Sequence, residues 1–325
     1  MSGLTSDYDY PLPESLIASR PLPHREDSRM MVINRATGKI GHHTFKELPN
    51  FLQPDDLLVL NNSRVRHARV FANEGTIELL FLEQRDPLRW LCMVRPGRKM
   101  RIGATCRIGD VTARVIGIEE PGGERVIEFD KPVDFDRAGH VPIPPYMHRE
   151  ADADDDIRYQ TVYANPTGSV AAPTAGLHFT PEILASIPHV FLTLHVGIGT
   201  FRPIMTDRLE DHALHKEKYE ISPESAEKLN TAHRLIAVGT TSVRTLESQP
   251  SGDIHAGNGA TDIFIRPGFS FQRIGGMLTN FHLPKSSLLV LVCTFGGHDL
   301  LLEAYHEAVR EKYRFYSYGD CMLIF

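Results

Sequence analysis

Residues 235–248 read LIAVGTTSVRTLES: four apolar residues, a glycine, then small hydroxylated side chains opening a helix-compatible stretch. A short apolar run bounded by glycine predicts a buried strand, and Thr240, Thr241 and Ser242 then open a helix whose first N–H groups lack intrahelical partners. Taken alone, such a run is an ordinary capped strand-to-helix turn. Working outward, the strand-like runs FLTLHV (191–196) and TDIFI (261–265) alternate with helices that begin at Thr180-Pro181 and Ser222-Pro223, where the hydroxyl residue caps and proline fills the first turn. Alternation of this kind predicts an α/β fold, a mixed sheet with helices in which part of the sheet is parallel. Residues 286–295 read as a short buried helix. A second helix over 298–313 turns Leu301, Ala304, Ala308 and Val309 inward and Glu303, Glu307, Arg310 and Glu311 outward. The strand DLLVL (56–60) is assigned to the same sheet.

Between residues 64 and 139 the pattern changes. TIELLFLE, RWLCMVRPG, ATCRIGD, ARVIGIEE and RVIEFD carry no helical period and are broken by PG, GD and PGG turns. This spacing predicts a small all-β barrel domain inserted into a large discontinuous α/β domain made of residues 1–63 and 140–325.

Composition bounds the rest. The chain has 325 residues, 42% hydrophobic and 23% charged, enough for about two domains with cores of their own. Cys92, Cys106, Cys293 and Cys321 are widely spaced and form no C-x-x-C pair, which predicts reduced, buried thiols. The N-terminus is acidic where a signal peptide is basic, and the longest apolar run, 288–295, is too short for a bilayer, so the expectation is a cytoplasmic protein with no membrane partner. A formal net charge of -6 excludes indiscriminate coating of nucleic acid. One basic cluster stands against that balance: Arg95, Arg98, Lys99 and Arg101 in RPGRKMR.

Five segments are rich in small and polar residues at predicted strand ends or helix starts: VAAPTAGLHFT (170–180), HVGIGTFRP (195–203), GTTSVRTLES (239–248), LTNFHLPKSS (278–287) and YRFYSYGDCM (313–322). In α/β proteins ligands bind at such ends, because backbone N–H groups and short side chains can approach a phosphate or ribose there. Gly197 and Gly199 form only a fragment of a dinucleotide fingerprint, since Arg202 stands at the third glycine position, and the chain has no phosphate-binding loop of the G-x-x-x-x-G-K-[ST] type. His212 and His215 beside Glu210 and Asp211 suggest a metal pair, but no third ligand is indicated, so no metal is expected. Among groups able to exchange a proton near neutrality, His178 and His282 lead, followed by His195, Asp262 and Asp320.

Together these segments resemble the S-adenosylmethionine:tRNA ribosyltransferase-isomerases of the queuosine pathway. The resemblance also runs through YDYPLPESLIASRPLPHREDSRMMVINR (8–35), DLLVLNNSRV (56–65), GHVPIPPYMHR (139–149) and RYQTVYA (158–164). Within the β insertion only WLCMVRPGRK is similar. Asn62-Ser63 and Arg66-His67 depart from the family pattern, and the stretches before FLTLHV and LIAVG are shortened.

The resemblance implies transfer and isomerisation of the ribosyl unit of S-adenosylmethionine onto 7-aminomethyl-7-deazaguanine at the wobble position of a tRNA with a GUN-type anticodon. Epoxyqueuosine, adenine and methionine are the implied products. S-adenosylmethionine is then a consumed co-substrate, no cofactor is needed, and a monomer is expected. A sulfonium acidifies the ribose carbon bonded to it, so the reaction asks for one general base and a rigid, dry cage. The implied base is His178, His282, Asp262 or Asp320. The implied cage is Thr174, Gly197, Gly199, Thr200, Arg202, Thr240, Thr241, Ser242, Arg244, Asn280, Lys285 and Tyr318. Arg95, Arg98, Lys99 and Arg101 would hold RNA phosphates. Two other classes fit parts of the pattern: an S-adenosylmethionine-dependent RNA methyltransferase, and a non-catalytic RNA-binding protein.

Overall fold

The computed structural model describes residues 3–120, 122–197 and 203–325. The first strands are β1 (Arg29–Asn34), β2 (Lys39–Thr44), β3 (Asp56–Asn61), β4 (Arg64–Val65), β5 (Arg69–Ala72), β6 (Ile77–Asp86), β7 (Arg89–Arg95), β8 (Thr105–Ile108), β9 (Val111–Glu119), β10 (Glu124–Phe129) and β11 (Gly139–His140). They are followed by β12 (Thr167–Ser169), β13 (His189–Leu194), β14 (Glu217–Ile221), β15 (Arg234–Val238), β16 (Gly257–Thr261), β17 (Ile274–Asn280) and β18 (Cys321–Ile324). The helices are α1 (Phe135–Ala138), α2 (Ala153–Arg158), α3 (Pro181–Ala185), α4 (Pro223–Thr231), α5 (Thr240–Glu247), α6 (Ser287–Gly296) and α7 (His298–Arg310).

Nine strands make a mixed sheet in the order β16-β14-β13-β3-β15-β17-β18-β1-β2. Its centre, β13-β3-β15-β17, is parallel throughout, as the apolar runs predict for strands covered on both faces. Alternate residues serve opposite layers. Leu58, Leu60, Ile236, Val238 and Leu278 pack with Phe45, Phe179 and Leu184, whereas Val59, Ala237 and Met277 pack with Leu229, Val243, Leu246, Leu289 and Leu301 from α4 to α7. The expected caps are formed: Thr180 Oγ1 accepts from Ile183 N, Ser222 Oγ from Ser225 N and Ser286 Oγ from Leu289 N.

The TDIFI strand is not formed as expected. β16 is GNGAT and ends at Thr261, and the apolar residues beyond it go into the core without a ladder, with Ile265 buried and Ile263 and Phe264 partly so. Burial of those side chains has prevailed over their strand propensity.

All seven strands of the second sheet come from residues 69–140, in the antiparallel order β11-β5-β6-β7-β10-β9-β8, around a core that includes Val70, Leu79, Phe81, Trp90, Cys92 and Ile127. The sheet curls until its ends approach each other. Asn73 N–H donates to Arg107 O at 2.9 Å and Arg107 N–H to Asn73 Oδ1 at 2.8 Å. All four cysteines are free and buried. No single helix among the described residues is long and apolar enough to cross a membrane, and the α6 and α7 pair is bent by 118°.

Candidate active site

The four parallel strands end at one edge of the large sheet, in Asn61, Leu194, Val238 and Asn280, and antiparallel β18 begins at the same edge with Cys321. In open α/β sheets this is the edge where ligands bind. All five small and polar segments reach a cleft here: Thr174 and Ala175 from the first, Val196 from the second, Gly239 to Thr241 from the third, Thr279 to His282 from the fourth, Tyr316 and Ser317 from the fifth. The enclosed space between these walls is about 30 Å3, room for a water molecule. Pockets for organic ligands measure roughly 300 Å3 or more, so a nucleoside enters only if the walls part.

Local chemistry builds each wall. Gly239 holds φ 85, a left-handed turn that lets β15 run straight into α5, and its N–H donates to Leu278 O at 2.8 Å. All eight residues of α5 are buried. Ser242 Oγ donates to Val238 O at 2.9 Å, so that hydroxyl serves the backbone, whereas Thr240 and Thr241 border the cleft. Asn61 braces the next strand: its side chain donates to Leu194 O at 2.9 Å and accepts from Leu194 N at 3.0 Å. Asn280 Nδ2 donates to Tyr316 O at 2.9 Å, tying β17 to the turn before β18. In that turn a Cβ on Gly319 would lie 2.5 Å from Arg314 O, so only glycine fits.

The proton-exchange candidates separate sharply. His282 borders the cleft, its Nε2 is 2.9 Å from Thr279 Oγ1, and burial lowers its pKa to about 3. Its backbone is clamped: the N–H donates to Tyr305 Oη at 3.1 Å and the carbonyl accepts from Tyr10 Oη. His178 lies behind Asn280, with Nδ1 3.0 Å from Ser28 Oγ and Nε2 3.4 Å from Asn280 Oδ1. Its pKa falls to about 4, chiefly through burial. Asp320 is 1% exposed and already occupied, Oδ1 accepting from Arg29 N at 2.9 Å and Oδ2 from Arg314 N at 2.8 Å, while burial raises its pKa. Asp262 is exposed just past the edge strand β16. His195 is half-buried, and its ring lies where a Cβ on Gly168 would be, 2.4 Å away.

The remaining candidates are distributed unevenly. Gly197 N–H donates to Glu217 Oε1 at 2.9 Å, and Arg244 pairs with the same carboxylate, both side chains under 5% exposed. Tyr318 Oη donates to Asp155 Oδ1 at 2.8 Å on the side of the turn away from the cleft, and Arg149 holds the same carboxylate with two hydrogen bonds. Lys285 is exposed and pairs with Asp9 at 2.7 Å. Gly199, Thr200 and Arg202 lie outside the described residues. Arg95 at the end of β7 and Arg98, Lys99 and Arg101 on the loop after it are exposed, away from the cleft lining.

A family model described as a queuosine biosynthesis protein matches residues 5–324. Proteins named S-adenosylmethionine:tRNA ribosyltransferase-isomerase from Symbiobacterium thermophilum and Solibacter usitatus are each 46% identical to this chain, over 98% of it and 99% of their own length. The chain belongs to the S-adenosylmethionine:tRNA ribosyltransferase-isomerase family. A solved family structure, the S-adenosylmethionine tRNA ribosyltransferase of Thermotoga maritima, superposes with a TM-score of 0.56 at 36% identity, over 98% of this chain and 100% of that one. Nothing in these likenesses favours a methyltransferase or a non-catalytic RNA-binding module.

Within this ribosyltransferase-isomerase the structure adds residues that the sequence reading passed over. Asn61 follows the strand run DLLVL, and Glu217 lies in KEKYE, a stretch that carries no motif. Tyr10 and Tyr305 are far from His282 in sequence, and only the fold brings them to its backbone. The one signal available for Glu217 was a charged residue in a segment alternating in polarity, which marks countless surface strands.

Proposed function

We propose that the chain joins the ribosyl unit of S-adenosylmethionine to 7-aminomethyl-7-deazaguanine at the tRNA wobble position and isomerises it to epoxyqueuosine, releasing adenine and methionine. The observation that carries this reading is the meeting of five separate polar segments, all within the matched family sequence, in one cleft at the ends of the parallel strands.

The chemistry follows from the donor. A base removes a proton from the ribose carbon bonded to the sulfonium, the resulting ylide expels adenine, the exocyclic amine of the deazaguanine attacks the opened sugar, and epoxide closure releases methionine. Of the four candidate bases we favour His282, the one that borders the cleft among the described residues. Burial keeps its ring neutral, the state that accepts a proton, while weakening it as a base. In this reading Thr174, Thr240, Thr241 and Asn280 form the cage. Gly197, Arg244 and Ser242 hold its frame, and His178 positions Asn280. No cofactor takes part besides the consumed donor.

The RNA partner is a tRNA with a GUN-type anticodon, held through Arg95, Arg98, Lys99 and Arg101, and the enzyme acts in the cytoplasm as a monomer. We read residues 64–139 as a barrel-like domain inserted into a catalytic domain of residues 1–63 and 140–325. The curl of the second sheet and its own core support that division.

The test is chromatography of protein, S-adenosylmethionine and tRNA carrying the deazaguanine. Adenine and methionine in equal amounts are expected. Release of S-adenosylhomocysteine, or no consumption of donor, overturns the reading.

A further inference from the structure

A second cleft, of about 240 Å3, lies between the outer face of the curled sheet and the segment after it. Its floor is one face of three neighbouring strands. In the ladder Arg69 is opposite Leu80, Leu80 opposite Met93 and Glu78 opposite Arg95, so these five side chains point the same way. Pro142, Ile143 and Pro144 of VPIPP cover them. At its inner end stands Ala171, whose chain neighbour Ala172 lines the polar cleft. The two spaces thus meet along one stretch of backbone.

We propose that this second cleft takes the deazaguanine base of the RNA substrate, flipped from its stack, and that Glu78 reads its Watson–Crick edge. The inference rests on the reaction reading above. Three observations favour a base as occupant. The volume lies below the several hundred Å3 of pockets for larger ligands and suits one flat ring. Proline rings, Leu80 and Met93 offer apolar faces against which a base packs, as extruded bases do between apolar side chains. At the rim stands Arg95, the first residue of RPGRKMR, whose Arg98, Lys99 and Arg101 are exposed where the flanking phosphates would run.

Glu78 supplies the specificity. Among the described residues its side chain forms an ion pair only with Arg69, Oε1 to Nε at 3.0 Å without the alignment of a hydrogen bond, and Arg69 is itself anchored by donating to Ile143 O at 3.2 Å. A carboxylate so held accepts from the ring N–H and the 2-amino group of a guanine-type edge. An edge that lacks the 2-amino group leaves one of those acceptors unmatched. The exocyclic aminomethyl group, on the opposite side of the base, is then free to point along Ala171 toward the polar cleft.

The experiment uses the full chain and anticodon stem-loops with either the deazaguanine or its analogue lacking the 2-amino group at the wobble position, with binding read by fluorescence anisotropy. Wild-type protein is expected to prefer the 2-amino base by about tenfold, Glu78→Gln to lose that preference, and Leu80→Trp, which fills the floor, to weaken both RNAs. The proposal is overturned if wild type binds both loops equally, or if Glu78→Gln keeps the preference at wild-type thermal stability. It is also overturned if Leu80→Trp, folded, leaves both affinities unchanged. Adenine release by wild type is measured in parallel. Its absence sinks the reaction reading while the base preference still stands or falls separately, and turnover without the preference sinks only the pocket.

Discussion

The cleft at the edge of the large sheet and the basic loop of the small sheet hold their polar groups in opposite ways. Several polar side chains that line the cleft already have protein partners: Asn280 on Tyr316 O, Thr279 on His282, Thr241 on Asn61 and Ser317 on Tyr146. On the loop, Arg98, Lys99 and Arg101 extend into solvent and form no ion pair among the described residues. Pre-satisfied groups are rigid, so disturbing one harms geometry and stability together. Unpaired charges are worth little to the fold and act through partners that bring phosphate, so their removal is read in salt dependence and not in melting.

The largest effect tests the cleft itself. His282→Ala should lower adenine release by about a hundred- to ten-thousand-fold, the usual loss for a general base, while the chain stays folded. His178, one layer back, should show a smaller loss in rate. If His282→Ala turns over within a few-fold of wild type, the base is elsewhere and the contrast between the two histidines has no catalytic meaning.

Next comes the frame. Glu217 and Arg244 form an ion pair with both side chains under 5% exposed, and the same carboxylate holds the Gly197 N–H. Removing one partner strands a buried charge, so Glu217→Ala should destabilise the protein by about 3–5 kcal/mol in denaturant unfolding. A change below about 1 kcal/mol would mean that water reaches the pair.

For the loop, the triple variant Arg98→Ala, Lys99→Ala and Arg101→Ala should melt at the wild-type temperature. The slope of log affinity for tRNA against log salt should fall by roughly 0.7 to 0.9 per lost contact. An unchanged slope would move the phosphate site to Arg25, Arg29, Arg64 and Arg66.

The same contrast explains what could be read from the sequence. The parallel centre of the large sheet was visible because strands buried on both faces need unbroken apolar runs, as in LIAV and DLLVL. The helix starts were visible because Thr180, Ser222 and Ser286 carry the capping oxygen themselves. β16 was not visible, since GNGAT has little strand propensity and is ordered by pairing with β14. Within the site, the polar segments were legible as segments, but not the role of each side chain. Nothing local says that Asp320 is filled by the N–H groups of Arg29 and Arg314, or that Lys285 turns outward to Asp9.

Buried neutral histidines also set the acid response. In the unfolded chain a histidine titrates near 6.5, whereas burial lowers His178 to about 4 and His282 to about 3. The unfolded state therefore binds more protons below pH 6.5. The stability these rings contribute is present at neutral pH and is lost as pH falls from 6.5 toward 4 and 3. By pH 5 each should have withdrawn about 2 kcal/mol. His178→Asn should remove its share, so the gap between unfolding free energies at pH 7 and pH 5 narrows relative to wild type. An unchanged gap would mean that His178 is solvated in the folded state.

The smallest effects belong to Lys285, which the sequence placed in the cage and the fold turns outward. Its ammonium pairs with Asp9 at 2.7 Å, but the two side chains are 46% and 49% exposed, and such pairs contribute between nothing and about 1 kcal/mol. Its backbone is another matter, with φ at 55 in the left-handed region, the N–H donating to Tyr8 O at 2.8 Å and the carbonyl accepting from Ile204 N at 3.0 Å. Lys285→Ala removes the ion pair and keeps a Cβ in that strained conformation, so it should lower stability by less than about 1 kcal/mol. Lys285→Gly removes both the pair and the strain, worth about 1–2 kcal/mol, against a comparable entropic penalty for glycine, and should therefore melt at or above the Ala variant. Both should release adenine within a few-fold of wild type. A hundredfold loss in Lys285→Ala at unchanged melting temperature would show that the ammonium leaves Asp9 for the substrate, and would place Lys285 inside the cage after all.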